Sequence, residues 1–363
     1  MSIEVDYRFP HGVDVEKQAK VIAVGQTAGT WNARFAHLEN VFRSHLGTVV
    51  QGVINPDGSG LATIRFPEAN VENDIPTLLT MIFGKYSMAG PAKVMAVRLP
   101  EHYGRHPKFG ITGIRERLGV VDRPLIMAIF KPALGLSAQD HGAILQEVAG
   151  AGLDIIKDDE ILGDLEIAPT LKRLEVCRKV LDEIKQQTGR TVLYAVNVTG
   201  SADKLLDKAH TLVKEGANAL LLNVLTYGFS VLEALAADPE INVPIFAHPA
   251  LAGALCGAPN HGMAYSVVLG TLMAHCGADA VLYPAHYGSL PFDPEEEKRI
   301  RESLRSRNVF PVPSAGIHAG IVPKVVADYG QEVILNAGTG IMDHPDGPAG
   351  GVKAFFEALN SLN

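Results

Sequence analysis

A mostly apolar run, Leu153-Asp154-Ile155-Ile156, leads straight into Lys157-Asp158-Asp159-Glu160. Side chains alternate across a strand, so Lys157 and Asp159 share one face and Asp158 takes the other, while curvature at the strand end can swing Glu160 back toward the first pair. Two carboxylates on one rim are the hard oxygen donors that Mg²⁺ prefers, an ion that keeps positions open for water or substrate. The lysine beside them admits two readings. As an ammonium it is a salt-bridge partner for the carboxylates; as a neutral amine that has taken up CO₂ it is a carbamate, a third oxygen ligand.

Lys131 follows another apolar run in "AIFKPALGLS" and faces the same rim, where an ammonium can stabilise an enolate oxygen. The segments "PSAGIH" (313–318) and "NAGTGIMDHPDG" (336–347) carry Ser314, Ala315, Gly316, Gly338, Thr339 and Gly340, small residues that let a phosphate approach backbone N–H groups. His248, in "FAHPALAG", is either a ligand or hydrogen-bond donor or a satisfied core histidine; His286, His318 and His344 are weaker candidates. Nearer the N-terminus, "QTAGTW" (26–31) holds the only Trp, and "IFGKYSMAG" (82–90) places Lys85 in a glycine-bracketed turn. On their own these two read as a packed aromatic and a loop lysine.

The elements that must position these groups are legible as short apolar runs: "LIMAIF" (125–130), "LDIIK" (153–157), "VLYAVN" (192–197), "ALLLN" (219–223), "PIFAH" (244–248), "DAVLY" (279–283), "VFPVPSAG" (309–316) and "VILNAG" (333–338). Segments with helical spacing separate them, several closing on Gly. Continuous apolar strands suit a parallel sheet buried on both faces. Eight such units over about 240 residues predict a (β/α)₈ barrel spanning residues 121–363, with a doubly wound open sheet as the alternative. The barrel is favoured because its strand ends, Lys131, Lys157 to Glu160, Asn197, Asn223, His248, Tyr283, Ser314 to His318 and Asn336 to Gly340, would then converge on one face. Residues 1–120 predict a smaller α+β domain of ferredoxin-like, split βαβ type, joined to the barrel by the polar, glycine-bearing segment "EHYGRHPKFGITGIRERLGV".

The formal net charge of -8, with no clustered Lys/Arg run, argues against a nucleic-acid surface. Cys177, Cys256 and Cys276 lack paired or metal-ligand spacing, which suits a reduced, cytoplasmic setting. No uninterrupted apolar stretch approaches about 18 residues and no signal-type start is present, so neither membrane insertion nor secretion is expected.

Taken together these segments resemble the RuBisCO superfamily, and within it the type IV RuBisCO-like proteins that do not fix CO₂. "GLDIIKDDE" is similar to the large-subunit signature, Lys157 matching its carbamylated lysine and Asp159 and Glu160 its two Mg²⁺ ligands. "FKPALGLSAQD" resembles the first-strand motif, with Lys131 on its first catalytic lysine, and "GTW" (29–31), "SAGIH" and "GTGIMDHPDGPAGG" match further segments, placing Thr30, Trp31 and the glycine loops at substrate and phosphate. The resemblance covers nearly the whole chain. It implies one Mg²⁺ per subunit, CO₂ bound as a lysine carbamate, and a homodimer whose sites lie between one subunit's barrel and its neighbour's N-terminal domain.

Three departures bear on the reaction. Ala133 stands where a carboxylase has the second lysine of "KPK", Ser289 in "PAHYGSLPF" where it has the lysine that assists carboxylation, and His248-Pro249 where a His-Arg pair grips a second phosphate. The resemblance therefore implies a monophosphate substrate and enolisation alone. Among RuBisCO-like branches the chain looks most like the 2,3-diketo-5-methylthiopentyl-1-phosphate enolases of methionine salvage, through "GTW", "FGKYS", "KDDEIL", "AHPA", "VPSAGIH" and "HPDG". In that branch the lysine of the "FGK" motif is the general base, a role that falls on Lys85; "FKPALGLS" is closer to RuBisCO and to other branches. One rival is a RuBisCO-like decarboxylase or cleaving enzyme acting on a β-keto sugar-acid phosphate such as 3-oxo-isoapionate 4-phosphate, which would use the same metal without needing a base at Lys85. Another is a binding relative without chemistry, against which the intact Lys-Asp-Asp-Glu motif weighs.

Overall fold

Alternation in the first strand sets the N-terminal sheet: in β1 (Ser2–Phe9), Ile3, Val5, Tyr7 and Phe9 all face inward and are fully buried. The computed structural model describes residues 2–30 and 32–362; Trp31, expected at a substrate contact, lies outside the described residues. β2 (Thr48–Ile54), β3 (Gly60–Pro67) and β4 (Lys93–Arg98) complete an antiparallel sheet with β4-β1-β3-β2 order. Helix Val15–Gly25 follows β1, its N-terminus capped by Asp14, which accepts from Lys17 N. Helix Ile75–Leu79, capped by Asp74, runs into a wider turn at Thr80–Gly84 before β4. This βαββαβ order is the expected ferredoxin-like arrangement.

The eight expected runs form the second sheet, all in parallel: β5 (Leu125–Ile129), β6 (Ile155–Lys157), β7 (Leu193–Asn197), β8 (Ala219–Asn223) and β9 (Ile245–His248), then β11 (Ala280–Pro284), β12 (Phe310–Ser314) and β13 (Ile334–Ala337). β13 pairs with β5, and the seam between β12 and β13 is bridged where Asn336 Nδ2 donates to Ser314 Oγ at 2.8 Å. A two-residue strand, β10 (Gly262–Met263), leaves the barrel and adds itself in parallel to the edge of β4. Lys93 Nζ fastens the same junction by donating to the carbonyls of Cys256 (2.7 Å) and Ala258 (2.8 Å).

The joining segment differs from expectation. Residues Gly110–Leu118 form a helix whose Ile111, Ile114 and Leu118 pack into the barrel interior against Leu125, Met127, Leu193 and Leu282. The i, i+3, i+7 spacing of these three residues was present in a segment dominated to the eye by charge and glycine. Asp279 fixes the helix start, accepting from the N–H groups of Phe109 (2.7 Å) and Gly110 (2.9 Å) as well as from Ile245 (2.8 Å). Gly110 has φ 57°, and a methyl there would lie 2.1 Å from the Asn308 carbonyl oxygen, so glycine is required.

Asp158, on the outward face of β6, is held by four donors: Arg173 Nε (3.2 Å) and Nη2 (3.0 Å), Tyr194 OH (2.6 Å) and Asn197 N (2.9 Å). Neither member of the ion pair is exposed. Removing one partner of such a pair leaves an unpaired buried charge, so Arg173→Met should cost about 3–5 kcal/mol in urea unfolding, with Arg173→Met/Asp158→Asn recovering part of the loss. An unchanged midpoint in the single variant would contradict this role.

Burial holds His275 well below the ordinary histidine range, to about 4, while its Nδ1 stays bonded to the Thr271 carbonyl. Because the folded state disfavours the charged ring, this histidine's contribution is present above about pH 6.5 and is lost as pH falls through 4, a change on the order of 3 kcal/mol. His275→Gln should flatten the dependence of the urea midpoint between neutral pH and pH 4.5; an equal slope in both proteins would refute it.

Candidate active site

The C-terminal ends of the parallel strands surround a cavity of about 300 Å³. Lys131, Lys157, Asp159, Glu160 and His248 supply one side, and Ser314, Ala315, Gly316, Gly338 and Thr339 another. Ile129, Pro249, Leu282, Pro284 and Leu290 add aliphatic surface, and Tyr283 and Asn336 complete the lining. Most of the sequence-predicted residues therefore meet in one place.

β6 is only three residues long, and the segment after it is pinned by neighbouring strands. Asn197 Nδ2 donates to the carbonyls of Glu160 (3.1 Å) and Leu162 (3.0 Å), and Asn223 Nδ2 donates to the Glu160 carbonyl at 2.8 Å. With Asp158 locked outward, Lys157, Asp159 and Glu160 are left facing the cavity. The two asparagines were visible as polar strand ends, but their role required the three-dimensional register. Arg173 and Tyr194 carried no sequence signal of their part in this arrangement.

Lys157 is fully buried, and desolvation lowers its pKa even though Glu160, Asp159 and Asp158 favour the charged form. Its Nζ donates to the Asp158 carbonyl at 3.0 Å and lies 3.7 Å from Glu160 Oε2. Lys131 Nζ reaches Asp159 Oδ2 at 2.6 Å. His248 Nδ1 accepts from Ala250 N at 3.2 Å, which leaves the proton on Nε2, 3.4 Å from Glu160 Oε2; burial, with Lys157 adding to it, keeps this imidazole neutral well below its usual range. His248 therefore faces a carboxylate as a donor.

Two cations, Lys131 and Lys157, balance two anions, Asp159 and Glu160. Converting Lys157 to a carbamate replaces +1 with −1 and brings the four groups to −2, the charge a divalent cation neutralises. Among the described residues no three His, Cys, Asp or Glu side chains converge as a metal site. Asp159 and Glu160 form an incomplete oxygen set that a carbamate on Lys157 would complete, and burial shifts the lysine in the direction of the neutral amine, the form that reacts with CO₂. The residues present thus fit the group.

Some expected residues serve differently. The Ser314 hydroxyl, at the cavity lining, donates to the Val312 carbonyl at 3.0 Å and accepts from Asn336, so it also holds the strand ends together. Gly340 does not line the cavity; a methyl there would stand 2.3 Å from the Ile317 carbonyl oxygen, so its smallness serves loop packing. Lys85 is exposed on the N-terminal domain, beside a separate open cleft that includes Asp14, Lys17, Lys20 and Gly29. Thr30, also exposed, follows that cleft. One chain alone does not bring Lys85 or Thr30 to its own barrel mouth, because both sit on the smaller sheet's periphery. No helix of the described residues is long and apolar enough to cross a membrane.

Comparison with known proteins matches residues 110–306 and 300–363 to the ribulose bisphosphate carboxylase large chain, catalytic domain. A 2,3-diketo-5-methylthiopentyl-1-phosphate enolase of Microcystis aeruginosa is 71% identical over 359 residues, covering 99% of this chain and 93% of the relative. The protein of the same name from Geobacillus thermodenitrificans is 42% identical, covering 96% of this chain and 89% of its own length. Among solved structures, a RuBisCO-like protein of Alicyclobacillus acidocaldarius superposes with a TM-score of 0.93 at 39% identity, covering 100% of this chain and 94% of its own. The octameric Rubisco of Pyrococcus horikoshii gives 0.91 at 28% identity, covering 99% and 88%. With the Lys-Asp-Asp-Glu rim at the mouth of an eight-stranded parallel barrel, these likenesses place the chain in the RuBisCO large-chain family.

Proposed function

We propose that this chain enolises 2,3-diketo-5-methylthiopentyl-1-phosphate in methionine salvage, without fixing CO₂. The observation that carries the reading is the 71% identity, over 99% of the chain, to an enolase of that name. The site supports it: a carboxylase's lysine is absent at Ser289 and its second phosphate grip at Pro249, whereas the Lys157, Asp159 and Glu160 rim is intact. A decarboxylase reading has no comparable observation behind it.

Carbamylated Lys157, Asp159 and Glu160 would hold one Mg²⁺, which supplies positive charge at an oxygen developing enolate character. Lys131, released from Asp159, would donate to that oxygen and steady it. Backbone N–H groups of the Ala315-Gly316 and Gly338-Thr339 turns would bind the single phosphate. His248 would keep Glu160 oriented through its Nε2–H. Lys85 would come from a second copy of the chain, its amine taking the proton from the carbon next to the carbonyl, and that copy would also supply the substrate contacts expected of Thr30 and Trp31. This makes the working unit a homodimer with shared sites. Three buried, unpaired cysteines accord with the cytoplasm.

Loss of the base should be far larger than loss of a tail or phosphate contact: Lys85→Ala is expected to lower kcat by about 10³-fold, and Asp159→Asn by at least as much, in a proton NMR assay with Mg²⁺ and bicarbonate. Full turnover by Lys85→Ala would refute enolisation by this base. Mixing the two inactive variants tests the shared site, because a hybrid dimer contains one site with both Lys85 and Asp159; about a quarter of wild-type activity should return after subunit exchange. No recovery despite proven exchange would place each site within one chain.

A further inference from the structure

The loop after β11 bears Leu290, a leucine that is 51% exposed and yet lines the cavity next to Leu282, Pro284 and Pro249. A lone exposed leucine is ordinary surface, but this one is held in place from two directions. Ser289 N–H donates to the Ala315 carbonyl at 2.7 Å, and Ala285 N–H to the Ser314 carbonyl at 3.0 Å. A methyl on Gly288 would lie 1.9 Å from Ala315 O, and one on Gly316 2.6 Å from Ser289 N, so the two loops touch backbone to backbone. At the root, His286 donates through its backbone N–H and through Nδ1 (2.8 Å) to Glu297. Glu297 is 2% exposed and also accepts from Tyr329 OH, which in turn accepts from Tyr283 OH at 3.1 Å. The enolisation steps make no use of this buried carboxylate; its partners show what it does, which is to fix the loop.

The fixed loop gives the cavity two unlike sides. Carbonyl oxygens and phosphate would find donors at Lys131, Lys157 and the glycine turns, one of which adjoins the Leu290 loop. Leu290, Leu282, Pro249 and Pro284 offer no side-chain donor or acceptor, and the prolines lack an N–H as well. We propose that Leu290 is a specificity-determining residue: it closes an aliphatic wall that receives the substrate's unbranched thioether tail and disfavours a hydroxylated one. The inference rests on the enolase reading and names the part of the site that distinguishes its substrate from other phosphorylated ketones. Such a wall discriminates by apolar contact, on the order of ten- to a hundredfold.

The test compares steady-state kinetics of wild type, Leu290→Ala and Leu290→Met on the methylthiopentyl diketone phosphate and on a diketone phosphate cut back to a four-carbon chain. Leu290→Ala should raise KM for the long substrate roughly tenfold with kcat nearly unchanged, leave the short one unaffected, and Leu290→Met should behave as wild type. Equal losses on both substrates, or none on either, would overturn the assignment. Calorimetric binding of pentyl phosphate against methyl phosphate separates this inference from the reaction itself. If wild type converts neither diketone, the enolase reading falls; a pentyl preference that Leu290→Ala abolishes would still support the wall, and no preference would remove it.

Discussion

The site depends on a lysine amine that water does not reach. Lys157 ends a strand only three residues long, fully buried, with its pKa drawn down by desolvation. A permanent charge in that position would need a committed counter-ion, and the nearest carboxylate in sequence, Asp158, is committed elsewhere by Arg173 and Tyr194. What remains beside the Lys157 nitrogen is the Asp158 carbonyl oxygen at 3.0 Å and Glu160 Oε2 at 3.7 Å. The outward lock on Asp158 and the inward placement of Lys157 are thus one design, produced by the alternation of a single strand.

The closure of the barrel and the shape of the glycine-turn side of the cavity are also linked. The seam between β12 and β13 is bridged by Asn336 and Ser314, and the two glycine turns spring from those same strand ends. The Ser314 hydroxyl donates to the Val312 carbonyl and accepts from Asn336, so it is engaged by the strand ends themselves. A side chain that lines the cavity is here also a structural fastener.

Much of this was legible in the chain because parallel strands buried on both faces leave continuous apolar runs, and because polar groups at their ends have one face to share. The eight strands and the opposition of Asp158 to Lys157 and Asp159 are consequences of period-two geometry. The plugging helix at Gly110–Leu118 was obscured because only three of its side chains enter the barrel while its other positions stay polar. Glu297 sits in the run "PEEEKRIRES", where a buried carboxylate and a solvated one look alike. Lys85 posed a different difficulty: it lies exposed on the smaller domain beside a separate cleft, and neither periodicity nor one chain's packing ties it to the rim.

The edge added by β10 has a consequence for how the protein is made. Residues Gly262–Met263 complete the sheet begun at Ser2, and Lys93 finds its carbonyl partners only at Cys256 and Ala258. As the chain leaves the ribosome from its N-terminus, β4 has a bare edge until more than half the barrel has been translated. During that interval the small domain is an unfinished surface exposed to the crowded cell, and its completion is timed by synthesis of the barrel.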